Sequence, residues 1–120
     1  MELKFTKIKP DAMLPSGQDR DIHSIISVKI KSEDYAVIPT GLAVDVPEGC
    51  VLQMCSKRSI AEKWQVVVIN DPAVIHHGFS GEIVVILKNH SCMTFHIEEG
   101  DAIAQVVLLP VVQFEPVFAG

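Results

Sequence analysis

An all-β sandwich or barrel is the fold class that this chain predicts, and three features of the sequence point there. The apolar fraction is 48 % with only 6 % aromatic residues, so the core is aliphatic; valine and isoleucine dominate it, and such residues suit a pleated, half-buried surface. Short apolar runs recur along the whole chain, separated by turn signals rich in Pro, Gly, Asn and Asp. Only one stretch, Ser56–Trp64, has a helical makeup, with Ile60 its single β-branched apolar residue.

In chain order, Leu3–Ile8 alternates apolar and polar residues and reads as an opening strand. Pro10–Gln18 is an irregular connection broken by Pro10, Pro15 and Gly17. Ile22, Ile25, Ile26, Val28 and Ile30 mark further strand material before a polar turn at Lys31–Asp34. Tyr35–Ile38 is a strand stopped by Pro39-Thr40-Gly41; Leu42–Val46 is the next, stopped by Pro47-Glu48-Gly49. Val51–Cys55 is a short strand, and the helix of Ser56–Trp64 has room for a turn or two. Val66–Ile69 and Ala73–Ile75 are joined by Asn70-Asp71-Pro72 and read as a hairpin; His76, His77, Gly78, Phe79 and Ser80-Gly81 follow. Glu82–Leu87 is apolar on both faces and is expected to be central. Met93–Ile97, the turn Glu98–Asp101, Ala102–Leu109 and a last strand-like piece, Val111–Phe114, complete the chain.

With 120 residues and no repeat or linker, residues 1–120 are expected to form a single domain. Mean hydropathy is +0.32, more apolar than a lone domain of this size requires, and a subunit interface is the natural outlet. The formal charge of −5 argues against nucleic acid as a partner, since that needs a basic face. No apolar run reaches the roughly 18 residues of a membrane span, and no secretory leader is evident. Cys50, Cys55 and Cys92 are odd in number and lack metal-site spacing, so an intracellular, cytoplasmic protein with free thiols is expected.

The stretch Val66–Gly81 has the shape of a small-molecule cradle, because Gly78 and Gly81 permit positive φ and close approach of a ligand to the backbone. Around it stand Pro10–Pro15, Ile38–Ala43 followed by Val46–Gly49, Ile75 with Gly81-Glu82-Ile83, and Gly100–Gln105. In this order and at this spacing they resemble the trimeric dUTPase (deoxyuridine triphosphate nucleotidohydrolase) family from about Leu3 to Phe114. The resemblance implies a β-jelly-roll subunit in a homotrimer, with active sites between subunits and a C-terminal strand, Val111–Val117, crossing to a neighbour. It also implies hydrolysis of dUTP to dUMP and diphosphate, with Mg²⁺ gripping the triphosphate.

The resemblance also assigns residues, and several depart from it. The family aspartate that activates water falls on His76; a neutral imidazole can accept a proton near about pH 7 but has a different shape. Within one subunit His76 and His77 do not converge on one metal ion, since neighbours on a strand point to opposite faces; only copies around a threefold axis could bring such rings together, which is the minor reading given what zinc sites need. Phe79 stands at a tyrosine that packs on the deoxyribose, keeping the ring without the hydroxyl. An ungapped alignment puts Lys57 and Arg58 on the phosphate-binding Arg-Ser pair, whereas a one-residue gap puts Arg58 and Ser59 there; either way the three open the helix, whose amides would add anion affinity. Asn70 matches a uracil-pocket asparagine, the backbone of Ala73–Ile75 would read the pyrimidine edge, and Gln105 matches a glutamine that contacts terminal phosphates. Asp21 matches the aspartate tied to the magnesium-bound water, within a reduced motif, Arg20–Ser24; Ala102 replaces an arginine, and the glycine-rich fifth motif has no counterpart. These departures lead to the expectation of a degenerate site that binds a nucleotide or nucleotide-like ligand, or a protein partner, without efficient hydrolysis. The alternative is an active dUTP diphosphatase with His76 or Asp71 as substitute base.

Overall fold

Alternating burial sets the inward face of each sheet. The computed structural model describes all 120 residues and contains eleven strands and one helix. In chain order they are β1 (Lys4–Lys7), β2 (Asp21–His23), β3 (Val28–Ile30), β4 (Tyr35–Pro39), β5 (Leu42–Asp45), β6 (Cys50–Ser56), α1 (Arg58–Trp64), β7 (Val66–Val68), β8 (Ala73–His76), β9 (Val84–Asn89), β10 (Phe95–Ile97) and β11 (Ala102–Pro110). Along β8, Ala73 and Ile75 face inward while Val74 and His76 face out; along β9, Val85, Leu87 and Asn89 face inward. All sheets are antiparallel, and the all-β class with one short helix holds as expected.

The strands form a four-stranded sheet ordered β2-β11-β6-β8, a three-stranded sheet β4-β9-β7, and two pairs, β1-β5 and β3-β10. A cluster of 20 buried apolar residues, including Ile22, Ile38, Leu52, Val68, Ile83, Val85, Leu87 and Ile103, joins them. Asn89 is fully buried and fully used: its Nδ2 donates to the carbonyls of Ile30 (2.9 Å) and Met93 (2.7 Å), while Oδ1 accepts from the Ser91 amide. That satisfaction is what makes a buried carboxamide tolerable. Gly41, at φ +71°, sits so close to the chain that a Cβ would lie 2.9 Å from the Cβ of Ala12, so both backbone angle and space require glycine.

Three expectations are corrected. Val66–Ile69 and Ala73–Ile75 are not a hairpin: β7 pairs with β9, whereas β8 pairs with β6, so Asn70–Pro72 carries the chain from one sheet to the other. The hydrophobic pattern marked both strands but not their partners, which are non-local. Glu82–Leu87 is central, between β4 and β7, yet only one face is covered; Val85 and Leu87 are buried while Val84 is 38 % exposed. Val111–Phe114 joins no sheet: the Val111 amide donates to Gly49, and Val112 and Phe114 are 91 % and 82 % exposed. An apolar extended segment needs a partner strand to become one.

Candidate active site

The open end of β6 gathers most of the charged residues singled out in the sequence. The helix begins two residues later than the expected start at Ser56: Lys57 is the N-cap, and α1 has only seven residues, none of them buried. The amides of Ile60 and Ala61 donate to the Lys57 carbonyl at 3.1 and 3.0 Å, so they are spent inside the turn. The first two amides of the helix, those of Arg58 and Ser59, have no acceptor within it.

Those side chains converge. Asp19, Lys57, Arg58, Ser59, Glu62 and Gln105 line a shallow cavity of about 300 Å³. Register explains it: Gln105 on β11 stands opposite Asp21 on β2 and opposite Cys55 on β6, so the strand ends bring Asp21, Gln105 and the Lys57–Ser59 segment together. Lys57 Nζ donates to both carboxylate oxygens of Asp21, at 3.0 and 3.1 Å, with each side chain 21 % exposed. Arg58 pairs with Glu62 at 3.3 Å on the helix surface. Asp71 Oδ2 accepts the Ser56 amide at 3.0 Å, and Ser56 Oγ accepts the Val68 amide at 2.9 Å. Asp71 thus closes the turn beside this cluster, with exposed Asn70 next to it. Burial pushes the Cys55 thiol above its ordinary range, and the Asp71 charge adds to the effect.

His76 belongs to the other end of the same sheet. It lies opposite Val51 on β6, and the strand from Val51 to Ser56 rises about 17 Å at roughly 3.3 Å per residue. Within one chain, His76, Ile75 and Phe79 are therefore separated from Lys57, Asp21 and Gln105. Ile75 is buried and points inward, so only its backbone could meet a ligand. β8 is an edge strand, which leaves one row of its backbone N–H and C=O groups without a ladder partner. Phe79 is 47 % exposed and is not a core aromatic. The His76 imidazole makes no hydrogen bond and is exposed, whereas His77 Nδ1 donates to the Val46 carbonyl at 2.7 Å.

The segment after the turn is anchored to the chain reversal at Pro39–Leu42. Glu82 Oε2 accepts the Gly41 amide (2.9 Å) and Oε1 meets Lys9 Nζ (2.8 Å), while Thr40 Oγ1 donates to the Ile83 carbonyl (2.6 Å). The hydrogen bond from Lys9 and those from the backbone hold the Glu82 carboxyl below its ordinary range despite burial. Asp19, Glu62 and the anchoring role of Glu82 were not singled out from the sequence. Glu62 is detectable in principle, four residues after Arg58 on a helix; Asp19 is placed by the turn Ser16–Asp21, which has no local sequence mark beyond Gly17.

Residues 20–119 match the family model described as dUTPase. The chain belongs to the dUTPase family. The deoxyuridine 5′-triphosphate nucleotidohydrolase of Picosynechococcus sp. is 38 % identical over 120 residues, covering 96 % of this chain and 84 % of the relative. The protein of the same name from Nautilia profundicola matches with the same identity and coverage. Among solved structures, the dUTPase from phage phi11 of S. aureus superposes with a TM-score of 0.91 at 23 % identity, over 99 % of this chain and 96 % of that one, which establishes the dUTPase fold. These relatives correct the expectation of a site that binds without hydrolysis. Proteins 34–38 % identical over 90–96 % of the chain carry the name nucleotidohydrolase. Departures at single positions such as His76 and Ala102 weigh less than that breadth of identity. No helix is long and apolar enough to cross a membrane.

Proposed function

We propose that this chain is a dUTP diphosphatase that breaks the bond between the α- and β-phosphates of dUTP, releasing dUMP and diphosphate. What carries the reading is the 38 % identity to deoxyuridine 5′-triphosphate nucleotidohydrolases across nearly the whole chain. Residues 1–120 act as one dUTPase-like domain, divergent at the position of the family aspartate. The working unit is a homotrimer: His76 and the Lys57 cluster lie about 17 Å apart along one sheet, so a second copy is needed to bring one to the other.

In this reading Lys57, Arg58, Ser59 and Gln105 bind phosphate oxygens with donors that converge on one cavity. The free edge of β8, from Ala73 to Ile75, reads the pyrimidine through backbone groups, with Asn70 supporting the base and the Phe79 ring packing on the deoxyribose. His76 takes a proton from the attacking water on its unoccupied ring nitrogen, and the oxygen of that water adds to phosphorus as diphosphate leaves. His76 is preferred to Asp71 because the Asp71 carboxylate is engaged by the Ser56 amide. Magnesium commonly binds through one or two carboxylates plus substrate phosphates, and Asp21 fits that demand, through a metal-bound water, once Lys57 turns from it to phosphate. Bound there, the ion would offset the charge of the triphosphate.

The test is release of diphosphate from dUTP and Mg²⁺ by the wild type, His76→Ala and Asp71→Ala. The base assignment predicts that His76→Ala loses at least about 100-fold in kcat while Asp71→Ala retains most of it. The reverse order would assign the base to Asp71.

A further inference from the structure

We propose that His77 is a positioning residue for hydrolysis, holding the turn that presents His76 and Phe79 together. The inference rests on His76 acting as the base. His76–Phe79 forms a four-residue turn in which the Phe79 amide donates to the His76 carbonyl at 3.1 Å. Its third residue, Gly78, has φ +88°, a conformation that glycine adopts without strain. The base and the sugar-packing ring are thus the first and last residues of one turn, which places their Cα atoms within about 7 Å of each other.

Such a turn at the end of an edge strand is free on its outer side. Beyond the ladder pairing of His76 with Val51 at its start, its side-chain tie to the rest of the protein is the His77 ring, whose Nδ1–H donates at 2.7 Å to the carbonyl of Val46. Val46 is 2 % exposed and belongs to the core cluster, so the ring is fastened to a fixed point. Nδ1 carries a proton in both the neutral tautomer that donates to a carbonyl and the imidazolium, so the tie survives changes in charge on His77. Two adjacent histidines therefore divide the work: the ring of one is anchored, and the ring of its neighbour is free to accept a proton.

The experiment is a double-mutant cycle on the full chain, measuring kcat and KM for dUTP hydrolysis in wild type, His77→Ala, His77→Asn, His76→Ala and His76→Ala/His77→Ala. A loosened base costs about 10- to 100-fold in kcat, with KM changed by less than about threefold. His77→Asn, whose carboxamide N–H can also donate to Val46, restores kcat to within about threefold of wild type. In the His76→Ala background, His77→Ala costs nothing more. Wild-type kcat in His77→Ala, with His76→Ala inactive, overturns the positioning role and leaves the base assignment intact. An equal loss from His77→Ala with and without His76 overturns it as well, since the effect would not pass through the base. Full activity in His76→Ala overturns the base assignment and the positioning role with it.

Discussion

Replacing Glu82 by alanine should lower stability more than its place near the surface suggests. The Gly41 amide is buried and Glu82 Oε2, at 2.9 Å, is its acceptor. Removing that acceptor leaves a buried N–H unpaired, at a cost of about 1–3 kcal/mol. Loss of the half-exposed ion pair with Lys9 adds up to about 1 kcal/mol. The sum, roughly 1–4 kcal/mol, corresponds at this chain length to a fall in Tm of about 4–15 °C. Glu82→Gln keeps an oxygen for Gly41 and loses only the charge, so its cost at neutral pH should stay near about 1 kcal/mol. The pH dependence has a fixed sign. Because Lys9 and the backbone amides hold the Glu82 carboxyl below its ordinary range, its ionic contribution is complete above the unfolded carboxyl pKa, about 4.3. It is lost as pH falls through the lower folded value. Thermal unfolding followed by circular dichroism at pH 7 and in acid tests this. A Glu82→Ala protein melting within about 2 °C of wild type, or a Glu82→Gln deficit that persists unchanged in acid, would refute the reasoning.

Two further outcomes follow from the cluster at the end of β6. Lys57→Ala should reduce kcat/KM for dUTP by about 100-fold through loss of a charged phosphate donor, while Lys57→Arg should retain most of it; steady-state kinetics showing a loss under about threefold would remove Lys57 from the site. Because burial and the Asp71 charge raise the Cys55 thiol pKa, iodoacetamide near neutral pH should alkylate exposed Cys92 well before Cys55. Peptide mass mapping showing equal rates would contradict that environment.

The strands were legible in the sequence because period-2 alternation and Pro-Gly-Asn-Asp turns act locally. Pairing was less so. Val66–Ile69 and Ala73–Ile75 look like a hairpin because a short polar break joins them, yet Val66 finds Asn89 and Ile75 finds Leu52. Those choices depend on burying Val85 and Leu52 within one core, which no local window contains. For the site, Lys57, Arg58, Ser59 and Gln105 were marked by resemblance, and the fold brings them to one cavity. The Lys57–Asp21 pair, the Asp71–Ser56 closure and the Glu82–Gly41 bond span 36, 15 and 41 residues, so nothing near them in the chain announces them. Weighing His76 and the other departures above the similarity of the whole chain produced the expectation of a non-hydrolysing site, and the named relatives overturn it.

The most direct test of the central claim is to mix the purified chain with excess dUTP and Mg²⁺ and follow dUMP and diphosphate by anion-exchange chromatography. Equal amounts of the two products, accumulating well beyond one per protein chain, are the result predicted for a dUTP diphosphatase. Saturable binding of dUTP in the same samples, with no diphosphate formed, would contradict it.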